Sequence, residues 1–307
     1  TASVAAADVT FSGYGRFGAM YTGATSSAAS NTNITSRYRL TVVGSTTTDS
    51  GVTFGAKVRM QQDSGDVNVG SVTVSHDGDT TGTTVTAAAD ETADVSGQNS
   101  FNAAQFYITS GGLTVRIGNI EGAFDSTAGL YSGSVGLTGL GYGNVVTGFA
   151  THDYADKGNG SAASQESIEV VYSMGDYTVH VSHNGVDTEI AGSATCSGVT
   201  VGLGTSTTDV ATQAEQLATL GGSIGGVNLG LAYGKLVNGT THTTLSMGMS
   251  VGAATSMSAY ISDDEANTDK NYGVGLVHDL GAGTSLRGGV VSIDGDTRAD
   301  FGVLFNF

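Results

Sequence analysis

Eleven of the 307 residues are Lys or Arg, and five of these, Arg16, Arg37, Arg39, Lys57 and Arg59, fall on the polar side of three early alternating stretches. If those stretches are neighbouring strands, the five charges form one patch. Like charges set side by side repel, so such a patch needs counter-charges or an electrostatic task. Lining a pore is one such task, because rings of charged side chains set ion selectivity. A solvated wall with no special role is the plain alternative. Arg116, on the polar side of a later stretch, extends the same set. Glu121 and Asp125, the first acids of a long insertion over residues 119–165, are candidate counter-charges; loose external acids are the other reading.

The elements that must position these groups show period-two alternation. Val9, Phe11, Gly13, Gly15, Phe17, Ala19 and Tyr21 share one face, and Thr10, Ser12, Tyr14, Arg16 and Gly18 the other. Tyr38, Leu40 and Val42 oppose Arg37, Arg39 and Thr41. Val52, Phe54, Ala56, Val58 and Met60 oppose Thr53, Lys57, Arg59 and Gln61. Further strands are expected near 101–110, 112–119, 166–174, 177–184, 187–196, 199–207, 213–224, 227–237, 241–251, 254–263, 271–280, 283–293 and 299–307, which makes sixteen. Short turns such as Gly111-Gly112, Gly175-Asp176 and Gly225-Gly226 alternate with longer loops, and Asn238-Gly239 suits a two-residue hairpin.

An even number of antiparallel strands, with short turns at one rim and long loops at the other, describes an outer-membrane barrel. The expected fold class is therefore all-β: a transmembrane 16-stranded antiparallel β-barrel, one domain over 1–307. Its apolar face meets lipid and lipopolysaccharide and its polar face meets water. Residues 63–100, rich in Ser, Thr, Gly and Asp, read as a long external loop. The 119–165 insertion is too long for a structureless connector, and its apolar, glycine-spaced run from Ala128 to Tyr142 suits a segment folded inward onto the wall.

Composition agrees. The chain has 48 Gly, no Pro, one Cys (Cys196) and 13% charged residues, against about 25% in soluble domains. No run approaches the roughly 18–20 apolar residues of a membrane helix, whereas a barrel strand needs only about 9–11, apolar at alternate positions. Mean hydropathy near zero, +0.03, fits. Central strands need every backbone N–H, which suits a chain without proline. A net charge of −17 argues against nucleic acid as a partner, since phosphate binding needs a basic surface. A lone cysteine fixes no compartment. The run Ala2–Ala7 could be the tail of a secretory signal or a flexible terminus.

Several runs carry a resemblance: Gly13-Tyr14-Gly15-Arg16-Phe17-Gly18, Ser36-Arg37-Tyr38-Arg39-Leu40, Gly51 through Met60, Ala123-Phe124-Asp125-Ser126, and the terminal Asp300 through Phe307. Together they resemble the general porins of Rhodobacter-type alphaproteobacteria, strongly over 8–62 and 101–142 and mainly in strand pattern thereafter. The resemblance implies a homotrimeric, water-filled outer-membrane channel for passive passage of ions and small hydrophilic solutes, without catalysis or cofactor. It implies a third loop folded into each pore, with Arg16, Arg37, Arg39, Lys57 and Arg59 on the facing basic wall and Glu121 and Asp125 at the start of that loop. Phe307 looks like the terminal assembly signal. Asp153, Asp156 and Glu166, where related porins bind calcium, are weak calcium candidates, with solvated loop acids as the plainer reading. One departure stands out. Where relatives place acids toward the pore, this chain offers Ser132 and Ser134, and Ser126 through Asn144 carries no charge.

A substrate-selective channel, an outer-membrane enzyme and a secreted acidic β-solenoid adhesin are the alternatives. The solenoid lacks its short fixed repeat, and no Ser/His/Asp grouping supports the enzyme. Gly13 through Gly18 matches the dinucleotide fingerprint, but the glycines lie inside one strand rather than between a strand and a helix. His180 is expected in the lumen, and Asp263-Asp264-Glu265 is a weak calcium candidate.

Overall fold

The structure is a computed structural model that describes residues 8–25, 28–64, 72–73, 84–85, 101–140, 154, 167–208 and 214–307. In chain order its strands are β1 (Asp8–Thr22), β2 (Asn31–Thr47), β3 (Thr53–Asp63), β4 (Val72–Thr73), β5 (Thr84–Val85), β6 (Gln105–Ser110) and β7 (Leu113–Gly118). They continue as β8 (Ile168–Met174), β9 (Tyr177–His183), β10 (Asp187–Cys196), β11 (Val199–Thr208), β12 (Glu215–Ile224) and β13 (Val227–Lys235). The last are β14 (Thr241–Ser250), β15 (Thr255–Asp264), β16 (Asn271–Gly281), β17 (Thr284–Ile293) and β18 (Asp296–Asn306). Sixteen of them close into one antiparallel barrel, with β1 paired to β18, while β4 and β5 make a separate two-stranded ribbon. Closure removes the unpaired edges that lipid could not satisfy.

Each strand sorts its side chains as the alternation requires. Phe11, Phe17, Ile34, Phe106, Leu203, Ile224 and Phe301 are exposed on the outer surface, and Glu169, Glu189, Ser206, His242 and Asp300 are buried inside. A hydrophobic surface left bare to the outside is reasonable only against lipid. Apolar side chains are buried inside the barrel, where Phe124 and Leu130 meet Leu217 and Ala232, and Val135 and Leu140 meet Tyr260 and Val291. In each group the first pair comes from one segment lying against the inner wall.

Several boundaries differ from expectation. Strand β6 begins at Gln105, not near 101, because Asn102 ends the ladder: its N–H donates to the Arg59 carbonyl (2.7 Å) and its Oδ1 accepts the Arg59 N–H (2.7 Å). Asp63 closes β3 rather than opening the external loop. Strand β18 starts at Asp296, three residues early, because Asp294 (φ 49°) and Gly295 (φ 84°) form a two-residue turn to β17. Two left-handed residues in succession match the twist of a hairpin, and Gly225-Gly226 and Ser197-Gly198 turn the same way. At Asn238-Gly239 the glycine alone is left-handed (φ 88°), within a longer loop where Thr240 donates to Asn238 Oδ1. Long loops are a property of the first half of the chain; the corresponding joints at 184–186 and 294–295 are short.

The barrel seam lies where the two ends of the chain meet, at the rim of short turns. Gly13 and Phe307 exchange backbone hydrogen bonds of 2.9 and 3.1 Å, and the Phe307 ring stacks on Tyr38 at 5.6 Å. The Phe305 ring occupies the place a side chain at Gly15 would need, 2.3 Å from an ideal Cβ. Gly15→Val must therefore expel that ring. We expect a loss of about 1–3 kcal/mol, the usual penalty for overpacking, read as a lower urea midpoint for the folded barrel in detergent; an unchanged midpoint would show that the seam does not depend on this contact.

Candidate functional site

After β7 the chain leaves the wall at Gly118 (φ 87°) and turns inward. Asn119, fully buried, fixes the exit: its side-chain amide donates to the Ala103 carbonyl (3.2 Å), and its own carbonyl accepts from Gln105 (2.8 Å). From there to Leu140 the backbone is a succession of turns with left-handed glycines at 122, 129, 133, 136 and 139. Turns of this kind leave many amides without a ladder partner, and buried amides need acceptors.

The wall supplies them as carboxylates. Glu169 accepts the N–H groups of Glu121 and Gly122, both at 3.1 Å, and Glu189 accepts that of Phe124 at 3.0 Å. Asp300 accepts Leu137 N–H (2.8 Å), Thr138 N–H (2.7 Å) and the Thr138 hydroxyl (2.8 Å). Ser182 accepts Ala123 N–H (2.8 Å) and donates to Glu189 (2.9 Å). In return, Arg16 Nη1 donates to the Leu137 carbonyl (3.1 Å), and the Thr219 hydroxyl donates to that of Ala128. The wall beneath is floored with glycine. A Cβ at Gly275 or Gly289 would stand within 2.9 Å of Gly136 backbone, and one at Gly302 would stand 2.7 Å from Leu137.

The five basic residues stand on the lumen face of β1, β2 and β3, beginning beside β18, as their alternation requires. Arg16 and Arg37 are direct register partners, yet each is drawn elsewhere. Arg37 forms a fork with both oxygens of Asp63, the Nη2–Oδ2 arm at 3.2 Å, and also reaches the Tyr14 hydroxyl (3.4 Å). Arg39 donates to Gln61 (2.6 Å) and lies over the Tyr14 ring at 5.3 Å. Lys57 pairs with Glu121 at 2.6 Å, so one expected counter-charge is in place. Lys57 and Arg59 also sit over the Tyr154 ring, 4.1 and 4.5 Å from its centre.

The other candidates are placed differently. Asp125 accepts a hydrogen bond from the Tyr131 hydroxyl at the edge of the segment. Arg116 is tied to Glu169 (2.7 Å) at the root of the segment, where His180 also reaches Glu169 (3.1 Å). Ser134 is exposed and Ser132 half-buried. Asp153, Asp156 and Glu166 lie outside the described residues. Asp263 pairs with Lys270 on the outer side, whereas Asp264 turns inward beside His242 (2.8 Å), so adjacent residues of one strand cannot share a cation. Among the described residues no group of three or more His, Cys, Asp or Glu could hold a metal.

Sequence reasoning missed Asp63, Glu169, Glu189, Asp300 and Tyr154. The carboxylates had a usable signal: each is an acid on the inward face of an alternating strand. Tyr154 had none.

The family model for Gram-negative porins matches residues 1–298. The chain belongs to that family. It is 30% identical over 318 residues to a porin of Fuscovulum blasticum, covering 98% of this chain and 100% of the relative. Solved structures of engineered Rhodopseudomonas blastica porins are similar throughout: one with a TM-score of 0.80 at 27% identity, another with 0.79 at 29%, each covering 98% of this chain and 100% of the other. This porin is accordingly a diffusion channel of the bacterial outer membrane, and its lumen is the path.

Where the inward segment reaches β18, next to β1, its hold rests on Asp300. Removing the carboxylate in Asp300→Ala takes away three hydrogen bonds to a charged acceptor, each worth about 1.5–3 kcal/mol. The barrel should still form, while single-channel records show a noisier open current and an altered conductance. Records matching the parent in both would mean that the segment is held by packing alone.

Proposed function

We propose that this porin is a general diffusion pore whose throat lies between the basic wall of β1–β3 and the free edge of the inward segment, and that this throat sets its ion preference. The observation that carries the reading is the segment itself: apolar residues such as Phe124, Leu130 and Val135 bury it against the opposite wall. The lumen beside the arginines then remains the way through. Charges lining a constriction act at close range, where they decide selectivity more than net charge does.

The edge facing the wall is poor in acid. Residues 126–140 carry no ionisable carboxylate, Asp125 is engaged by Tyr131, and Glu121 is matched by Lys57. The rest of the chain is strongly acidic, −17 in all. The reading is thus a vestibule that gathers cations above a throat that does not favour them. Passage is passive, with no catalysis, cofactor or energy coupling. Three copies assemble in the membrane, with lipid and lipopolysaccharide against the remaining apolar surface and Phe307 as the assembly signal; the resemblance of the terminal strand to related porins supports this. Heat-resistant species of three times the chain mass, extracted in detergent, would bear it out.

Reversal potentials in a salt gradient test the throat. We expect weak selectivity between potassium and chloride, and a shift toward cations in the double variant Arg39→Gln, Arg59→Gln. Strong cation preference in the parent channel, or no shift in the variant, would overturn the reading.

A further inference from the structure

Beneath the inward segment the lumen wall holds a recess of 230 Å³, to which Arg116, Glu121, Ser126, Thr178, His180 and Ser193 contribute polar groups. Its position follows from the register. Glu169, Ser182 and Glu189, which hold the backbone of the segment, lie in one row across β8, β9 and β10. Thr178 and Ser193 form a lower row, nearer the short-turn rim. The recess is therefore an alcove on the short-turn side of the segment, against the wall formed by β7–β10.

The alcove presents both signs of charge. A guanidinium has five donors; Arg116 gives one to Glu169 and has capacity left. Glu121 gives one oxygen to Lys57 and has a second. His180 uses Nε2 toward Glu169, and Ser193 adds a hydroxyl. The recess lining itself carries one cation, Arg116, and one anion, Glu121, each paired with an opposite charge, Glu169 and Lys57; Glu189, in the row above, is held by the Phe124 amide and Ser182. A lone anion or a lone cation meets a charge of its own sign on that lining. A ligand with a carboxylate and an ammonium on one short frame meets an oppositely charged partner for each, so both of its hydrogen bonds join ion to ion. The recess, open to the lumen, has room for a small amino acid: its 230 Å³ is several times the ~30 Å³ share of one water.

We propose that this alcove is a weak binding site for small zwitterions of the α-amino-acid type, which pause there while crossing the channel. The site rests on the diffusion-channel reading and adds a substrate class to it.

The test is a planar-bilayer titration of the whole porin with L-alanine, with propionate and ethylammonium as one-charge fragments. L-Alanine should lower the open conductance along a saturating curve and add low-frequency current noise. Each fragment should change the current only in proportion to its concentration. Ser193→Phe, which fills the alcove from the wall, should abolish saturation, and Glu121→Gln should weaken it about tenfold, the scale of one lost charge-assisted hydrogen bond. A linear response to L-alanine, equal saturation by propionate, or saturation that survives both substitutions would overturn the site. None of these would touch the channel reading, which fails only if the purified parent protein conducts no ions.

Discussion

A polypeptide that turns inward inside a barrel has left the one structure that satisfies backbone amides automatically. Along the ladders, neighbouring strands take up one another's N–H groups, but the turns from Glu121 to Leu140 have no ladder. Glu169, Glu189 and Asp300 replace it, each taking amides of the segment at 2.7–3.1 Å. Burying a carboxylate is expensive unless it is hydrogen-bonded and its charge is met. Glu169 is fully buried and meets both conditions, through two amides, Arg116 and His180. The course of the segment through the lumen rests on these three acids.

That constraint divides the charges of the lumen into two kinds. Some hold the structure: Arg116 balances Glu169, Arg16 grips the Leu137 carbonyl, and Arg37 is forked by Asp63. A charge matched within hydrogen-bond distance contributes little field farther off, since the pair appears from the lumen as a dipole. Arg39 and Arg59 are steadied in addition by an amide and by tyrosine rings. A ring face orients a guanidinium, so Tyr14 and Tyr154 help to hold these two cations on the lumen wall.

The alternation was legible because the face of a strand residue is a local property, decided by parity alone. Hence the sixteen strands, the inward arginines and the lumenal His180 could all be read from the chain. Boundaries were less legible where a distant side chain sets them, as Asn102 does at the end of β3's ladder with β6. The turn at Asp294-Gly295 carried a plain signal, a dipeptide favoured in two-residue hairpins, and was overlooked because a long loop was expected at that rim. The anchors are another matter. Leu137 and Asp300 are 163 residues apart, and nothing in the sequence says which inward acid meets which amide.

Glycine content belongs to the same logic. A porin wall needs few small residues for its strands alone, since β-branched side chains pack better on a sheet. Here Gly202, Gly230, Gly275, Gly289 and Gly302 lie under the inward segment, where any Cβ would meet it or its neighbours at less than 3 Å. Each leaves the wall one side chain short, and together they form the groove in which the segment buries Phe124, Val135 and Leu137, as far as the β18–β1 boundary where Arg16 meets the Leu137 carbonyl. How far the segment stands out from the wall is therefore set in part by the wall itself: a side chain at any of these positions would have to displace the segment or its neighbours.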